Sequence, residues 1–393
     1  MFSKKVVENL KKSSWIRVMF EEGNRLAKIY GADKVYDYSL GNPFGEPPVE
    51  VNESLKKHIL SGEAGLHKYM SNAGYPEVRE KIAKSLEKES GVRLNEENII
   101  MTVGAAGGLN VVLKALLNEG EEVIVFAPYF VEYNSYIDNN GGKTVVVPAD
   151  TKSFQPNFEE FKKLITAKTK AVIINSPNNP TGVVYSEESL KTMASIIEEK
   201  EKEYETTIFI VSDEPYNKIV YDGNKLTAVM AVFKNAIVVN SFSKSLGLAG
   251  ERIGYIAVSS KIDNVDLLIN GLVYCNRILG FVNAPALFQR VVADALEAKI
   301  DVEDYKEKRD FLYDNLTRLG FECIKPQGAF YLFPKALIDD EVEFVNRALK
   351  YNLLLVPGSG FGCPGYFRMS YCVKFDMIKN SIPAFEKLAK DFK

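Results

Sequence analysis

Short apolar runs, separated by longer segments with helical periodicity, dominate the middle of the chain. The runs cover residues 98–103, 122–126, 143–147, 170–175, 207–211, 236–240 and 253–258. Their length and nearly continuous apolar character predict buried strands, and the segments between them are long enough for crossover helices, most clearly at 186–205. The pattern predicts an α/β fold with a largely parallel, seven-stranded, helix-covered sheet, whose ligands bind at the carboxyl ends of the strands.

The two ends of the chain show different patterns. Charged and apolar residues interleave from 5 to 31 and predict a helix that stops at Gly31, and a Gly/Pro-rich segment at 40–48 predicts a loop. After residue 286 we expect a smaller α+β unit with these helices and strands: 286–299, 303–319, 330–333, 353–356 and 366–371. We therefore expect two domains, a large one at 46–286 and a small one formed by 1–45 together with 287–393.

Composition and charge exclude several classes of protein. The 49 basic and 52 acidic residues give a net charge of -3, which leaves no basic excess for binding nucleic acid. We find neither an apolar segment long enough to span a membrane nor a signal peptide, so we expect a cytoplasmic protein. The four cysteines form no CxxC pair, so we expect no disulfide framework and no metal site. The only histidines, His58 and His67, are expected to be surface or structural residues.

The densest candidate motif, 241–254, begins where a predicted strand ends. It contains Lys244 after the hydroxyl residues Ser241 and Ser243, with Arg252 eight residues further on. A lysine amine can form an imine with a carbonyl compound, and hydroxyl and guanidinium groups can donate to an anion. Taken alone, the motif fits equally well a solvated lysine in a Ser/Gly turn with a locally paired arginine.

Two polar motifs follow two other predicted strands. The segment 175–182 is an amide-bearing turn around Asn179, which alone is also typical of an ordinary Asn/Pro/Gly turn. The segment 211–216 places Asp213 at the end of a buried strand and Tyr216 just after it. A buried carboxylate needs a cationic partner or a proton, although an aspartate that caps the following turn is the alternative.

Three weaker candidates lie elsewhere in the chain. The glycine-rich segment 104–108, with Ala105 and Ala106, leads from a strand into a helix, so its amides could face an anion, or its glycines could serve tight packing. Phe130 is a candidate ring-stacking residue, or simply a core residue. Arg368 lies within an apolar strand, where a guanidinium needs either an internal ion pair or an anionic ligand.

Together these motifs resemble the class I/II aminotransferases, the pyridoxal-phosphate enzymes of the aspartate aminotransferase fold (fold type I). The resemblance covers about residues 13–375, with the motifs in family order. It implies that Lys244 carries pyridoxal 5'-phosphate as a Schiff base. One departure is Ala105-Ala106, where many relatives have a polar side chain, so phosphate binding there would depend on backbone amides alone.

The resemblance also implies roles for the other motif residues. Around the cofactor ring these are Asp213 on the ring nitrogen, Asn179 and Tyr216 on the phenolic oxygen, and Phe130 stacked on the ring. Around the phosphate they are Ala105, Ala106, Ser241, Ser243 and Arg252, together with Tyr69 of a neighbouring subunit. Around the substrate they are Gly41, Asn179, Arg368 and Arg277. The role of Tyr69 implies a homodimer with shared active sites.

The implied reaction moves the α-amino group of an L-amino acid to a 2-oxo acid by a ping-pong mechanism, with Lys244 moving the proton. Arg277 lies close to where dicarboxylate-specific relatives place a side-chain-binding arginine, so aspartate or glutamate with 2-oxoglutarate is the expected substrate pair. The alternative for Arg277 is a surface charge at a helix end. An aromatic or alanine aminotransferase, a same-fold C-S β-lyase and a non-catalytic relative of the fold remain open.

Overall fold

A computed structural model gives the structure of residues 2–10, 15–43 and 45–392. The strands in these ranges are β1 (Tyr36–Asp37), β2 (Ile99–Thr102), β3 (Glu122–Phe126), β4 (Lys143–Val147), β5 (Thr169–Asn175), β6 (Phe209–Asp213), β7 (Ala236–Ser241), β8 (Gly254–Val258), β9 (Tyr331–Leu332), β10 (Leu353–Leu354), β11 (Val356–Pro357) and β12 (Phe367–Ser370). The α-helices are α1 (Lys4–Leu10), α2 (Trp15–Tyr30), α3 (Val49–Leu60), α4 (Pro76–Ser90), α5 (Gly104–Leu116), α6 (Glu132–Asn139), α7 (Phe158–Leu164), α8 (Glu187–Tyr204), α9 (Val229–Val232), α10 (Phe242–Ser245), α11 (Val265–Ile278), α12 (Ala286–Asp294), α13 (Val302–Leu319), α14 (Glu341–Ala348) and α15 (Phe375–Lys390).

Seven strands form the large sheet in the order β2-β8-β7-β6-β5-β3-β4. Every neighbouring pair is parallel except the two that involve β8, which runs antiparallel to both β2 and β7. The predicted α/β fold with a mostly parallel, seven-stranded sheet is confirmed. Strand β6 lies two residues further along the chain than predicted, so that Asp213 is its last residue.

The sheet is covered by helices on both faces. Alternate strand residues enter two separate apolar clusters, as shown by Ile99 and Ile124 in one and Ile100 and Val123 in the other. A parallel sheet buried on both faces requires such continuous apolar strands. The prediction of a buried strand is wrong for β4, because this strand pairs only with β3 at the edge of the sheet, and four of its five residues are exposed or half-buried.

A third apolar cluster joins both ends of the chain. It contains residues from 19–38 and from 305–389, together with Tyr216, Ile219 and Tyr221 from the middle of the chain. Strand β1 pairs in parallel with β10, and β11, β12 and β9 form a three-stranded sheet in that order. The predicted helix at 5–31 corresponds to α1 and α2, with residues 11–14 outside the described residues. Helix α12 ends at Asp294 and not at 299 as predicted. Of the helices that the structure describes, none has the length and apolar character needed to span a membrane.

Candidate active site

A cavity of about 310 Å³ opens at the carboxyl ends of the parallel strands. It is lined by twelve of the residues singled out in the sequence: Gly41, Ala105, Ala106, Phe130, Asn179, Asp213, Tyr216, Ser241, Ser243, Lys244, Arg252 and Arg368. They come from five different strand ends and from the two ends of the chain. The crossover topology brings them together because parallel strands end at the same edge of a sheet.

Lys244 lies on the short helix α10, which begins directly after β7. Its Nζ donates a hydrogen bond to the carbonyl oxygen of Gly41. Burial lowers the pKa of Lys244 to about 8, an effect that Cys372 opposes and that the positive charges of Arg368 and Arg252 reinforce. A neutral, nucleophilic amine is therefore more populated near neutral pH than in an ordinary lysine.

Asp213 is buried and has one carboxylate oxygen without a partner. Tyr133, on α6, donates from its hydroxyl to Oδ2 at 2.5 Å, whereas Oδ1 has no hydrogen-bond partner. Burial raises the pKa of Asp213 to about 6, and the hydrogen bond from Tyr133 lowers it in part. A buried acceptor of this kind needs an N–H donor from a ligand, which the protonated ring nitrogen of pyridoxal phosphate would supply.

The start of α5 and the side chain of Arg252 form a second polar region of the cavity. Gly104 has a φ of +70°, which favours glycine, and a Cβ atom there would lie 2.6 Å from Nη2 of Arg252 and displace the guanidinium. Ser241 and Ser243 contact each other through their hydroxyls at 2.6 Å. Backbone amides at a helix N-terminus, two hydroxyls and a guanidinium are donors suited to a phosphate group.

Arg368 is 2% exposed, and no carboxylate of the described residues forms an ion pair with it. Its Nη1 donates to Oδ1 of Asn179 at 3.1 Å, and its Nη2 donates to the carbonyl oxygen of Ser39. The guanidinium lies 4.8 Å from the ring centroids of both Tyr331 and Phe361, and its Nε has no partner. A buried cation without a counter-ion fits the carboxylate of a ligand, so the alternative of an internal ion pair is not observed here.

Eight residues that line the cavity were not identified as site residues from the sequence, and three of them, Tyr133, Tyr331 and Asn175, make side-chain hydrogen bonds to residues that were. The hydroxyls of Tyr331 and Tyr216 are 2.9 Å apart. A Cβ atom on Gly41 would lie 2.1 Å from the Tyr331 hydroxyl oxygen, which explains the glycine. Asn175 donates to the backbone carbonyl of Asp213 at 2.8 Å and so holds the end of β6.

Tyr69 and Arg277 do not line this cavity. Tyr69 is 90% exposed, and Arg277 is exposed on α11, with its guanidinium 5.5 Å from the ring centroid of Tyr274. Their predicted roles stay predictions.

The sequence of the chain is similar to those of known aminotransferases. The family model for aminotransferases of class I and II matches residues 34–385. Among curated proteins, a probable aspartate aminotransferase of Methanocaldococcus jannaschii is 34% identical, covering 87% of this chain and 90% of the relative. The aspartate aminotransferase of Thermotoga maritima is 33% identical, with 92% and 93% covered.

Solved structures give a similar result. The crystal structure of an aminotransferase from Eubacterium rectale superposes with a TM-score of 0.96 at 44% identity, covering 100% of both chains. The aspartate aminotransferase from Thermus thermophilus with maleate has a TM-score of 0.87 at 28% identity, covering 99% of this chain and 100% of the other. Both similarities extend over the whole cavity and its supporting sheet.

Proposed function

The chain belongs to the class I and II aminotransferase family, and from this premise we propose that the cavity residues described above are its catalytic and binding machinery. The protein is a pyridoxal-phosphate-dependent aminotransferase that acts on small-molecule substrates. The observation that carries the assignment of residues is the convergence of three groups on one cavity. These groups are the amine of Lys244, the unpartnered oxygen of Asp213 and the guanidinium of Arg368, whose Nε has no hydrogen-bond partner.

The cavity offers an acidic group for the ring nitrogen of the cofactor and hydrogen-bond donors for its phosphate. When bound, pyridoxal phosphate supplies an aldehyde that takes up the amino group and a protonated ring that accepts an electron pair. Asp213 would bind the ring N–H, while Asn179 and Tyr216 would bind the phenolic oxygen and Phe130 would stack on the ring. The amides of Ala105 and Ala106 would bind the phosphate with the side chains of Ser241, Ser243 and Arg252. Lys244 would carry the covalent attachment.

The substrate is positioned by Arg368, which binds the α-carboxylate with two parallel donors, next to the backbone of Gly41. These two hydrogen bonds would orient the substrate so that its Cα–H bond lies near the amine of Lys244. With the cofactor bound, the amine of Lys244 would take the Cα proton of the amino acid and would then act as the acid that gives a proton back. Its lowered pKa, about 8, makes it a suitable base near neutral pH.

A homodimer with shared active sites completes the proposal. Exposed apolar side chains on α11, Leu267 and Ile278, and the exposed ring of Tyr69 support a contact surface for a second copy. Tyr69 would reach the partner's phosphate site, and Arg277 would bind a substrate side-chain carboxylate. Two relatives are named as aspartate aminotransferases, one of them as a probable one, which supports aspartate as an amino donor. Glutamate and 2-oxoglutarate as the other pair of substrates follow from the resemblance.

The proposal also includes the division into two domains and the cytoplasmic localisation. The division into a domain at 46–286 and a domain formed by 1–45 and 287–393 is supported by the apolar cluster that unites the two ends of the chain. Cytoplasmic localisation rests on the sequence alone.

Borohydride trapping tests the role of Lys244. Protein saturated with pyridoxal phosphate should give a reduced cofactor adduct on Lys244 in peptide maps, and Lys244→Ala should lose both the adduct and amino transfer. Lys234→Ala is the matched control, because this lysine forms only a surface ion pair with Asp263 at 2.6 Å. An adduct on another lysine would contradict the assignment. Pyruvate release from cystathionine without an acceptor acid would instead favour the C-S β-lyase.

A further inference from the structure

A second cavity, of about 450 Å³, lies between the end of α4, the start of α8 and the short helix α9. We call it the lateral cavity. None of the described residues lines both this cavity and the one that holds the candidate active-site residues, so the two are separate spaces. Its volume is within the range of cavities that bind small molecules.

The two cavities lie on opposite faces of the large sheet. Asp213 lines the active-site cavity, whereas Glu214, the next residue, lines the lateral cavity. The same alternation separates Asn175 from Ser176. The amide of Glu214 donates to the carbonyl oxygen of Val239 on β7 at 2.9 Å, so strand pairing continues to this residue. Because successive residues of a strand point to opposite faces, the carboxyl group of Glu214 faces away from the candidate active site.

Glu214 has a carboxyl group without a cationic partner. It is half-buried, and its Oε1 accepts a hydrogen bond from the hydroxyl of Ser212 at 2.7 Å. No lysine, arginine or histidine of the described residues forms an ion pair with it. Burial raises the pKa of Glu214 to about 7; the hydrogen bond from Ser212 lowers it in part, and the charges of Glu89 and Asp213 add to the rise. A positively charged group next to this carboxyl would favour its ionised form.

Tyr185 offers a second polar group without a partner in the lateral cavity. It is 5% exposed, and its ring belongs to the apolar cluster on this face of the sheet. Its amide donates to the hydroxyl of Ser176 at 2.9 Å, whereas its own hydroxyl forms no hydrogen bond with the described residues. A buried hydroxyl without a partner is costly, so this group too is suited to a polar ligand.

The rest of the wall has an apolar side and a charged side. Leu190 and Met230, both at most 3% exposed, form part of the apolar side. The charged side contains Glu89, Lys218 and Lys225. Lys218 donates to Glu89 at 2.6 Å, and Lys225 is exposed to solvent. A ligand inside the lateral cavity would therefore meet the carboxyl group of Glu214.

We propose that the lateral cavity binds an apolar molecule that carries a protonated amine, with the amine on Glu214 and the apolar part against Leu190 and Met230. A hydrogen bond between an ammonium group and a carboxylate is stronger than one between neutral groups, and burial of the apolar part adds to the affinity. The site does not depend on the aminotransferase reaction. Its ligand would bind beside the carboxyl end of β6, whose last residue is Asp213.

The first test is a calorimetric titration of the cofactor-loaded enzyme with N,N-dimethyl-2-phenylethylamine at about pH 8, where Glu214 is mostly ionised. This tertiary amine is protonated at that pH and cannot form an imine with the cofactor. We expect it to bind about tenfold or more tightly than 2-phenylethanol, which has the same ring and no charge. Binding of the amine no tighter than that of the alcohol would overturn the proposal.

Variants then locate the bound amine. Glu214→Gln keeps the size of the side chain and removes its charge, so it should weaken binding of the amine about tenfold or more. Glu199→Gln is the matched control, because Glu199 lies on α8 and pairs with Lys162 at the surface, at 2.7 Å. The control should leave the affinity unchanged. Amine binding that Glu214→Gln does not weaken would place the amine elsewhere, the active site included, and would overturn the proposal.

A second variant tests the lateral cavity without a change of charge and decides the matter if Glu214→Gln does not fold. Ala228 lines the cavity just before α9 and is half-buried. Ala228→Leu should narrow the cavity and weaken binding of the amine about fivefold or more. An unchanged affinity in this variant would also overturn the proposal.

Discussion

Replacing Tyr133 by phenylalanine should raise the pKa of Asp213. The Tyr133 hydroxyl is the hydrogen-bond donor to Oδ2 of Asp213, at 2.5 Å, and Oδ1 has no partner. A hydrogen bond to a charged group contributes about 1.5–3 kcal/mol, and one pKa unit corresponds to about 1.4 kcal/mol. Tyr133→Phe should therefore raise the pKa of Asp213 by about one to two units above its value of about 6.

Cofactor affinity reports this change, because only the ionised form of Asp213 pairs with the protonated ring nitrogen. The assay is a titration of cofactor-free protein with pyridoxal phosphate from about pH 5 to about pH 9. The ionised fraction rises with pH, so the variant should bind about ten- to a hundredfold more weakly at low pH and approach the unaltered protein at high pH. The midpoint of the pH dependence should move upward by about one to two units.

The matched control is Tyr129→Phe. This change also removes a buried hydroxyl close by, but that hydroxyl contacts Asn134 and not Asp213. The control should leave the pH midpoint unchanged. An equal affinity loss at every pH in Tyr133→Phe would show that the hydroxyl does not tune Asp213, and would refute the reasoning.

Two further predictions concern the same cavity. Burial raises the pKa of Asp213 from 3.8, its ordinary value, to about 6 in the cofactor-free protein. The protonated form of Asp213 therefore stabilises the fold fully below about pH 3.8. This stabilisation is lost as the pH rises through about 6. Asp213→Asn should therefore make this form more stable at about pH 8, by up to about 3 kcal/mol in urea unfolding, and a lower stability would contradict this. Gly41→Ala places a Cβ atom 2.1 Å from the Tyr331 hydroxyl oxygen, so it should raise KM for the amino acid about tenfold and leave cofactor affinity unchanged. Steady-state kinetics measures the first quantity and a cofactor titration the second. A loss of cofactor affinity together with the rise in KM would contradict this prediction.

The sequence alone determined the sheet and most of the cavity residues. Each apolar run predicts a strand, and polar residues directly after a run, such as Asp213 and Lys244, must meet at one edge of a parallel sheet. The edge position of β4 could not be predicted, because its apolar residues resemble those of a central strand and only the strand order shows that one side is unpaired.

Only the tertiary structure decided the hydrogen-bond partners and the pKa values of these residues. Tyr133 lies 80 residues from Asp213 in sequence, and Arg368 lies 329 residues from Ser39. Such contacts have no local signature, because a hydrogen bond across that separation depends on where two elements pack and not on their own residue pattern. The same reason explains why the contact between the hydroxyls of Tyr216 and Tyr331, 115 residues apart in sequence, could not be predicted.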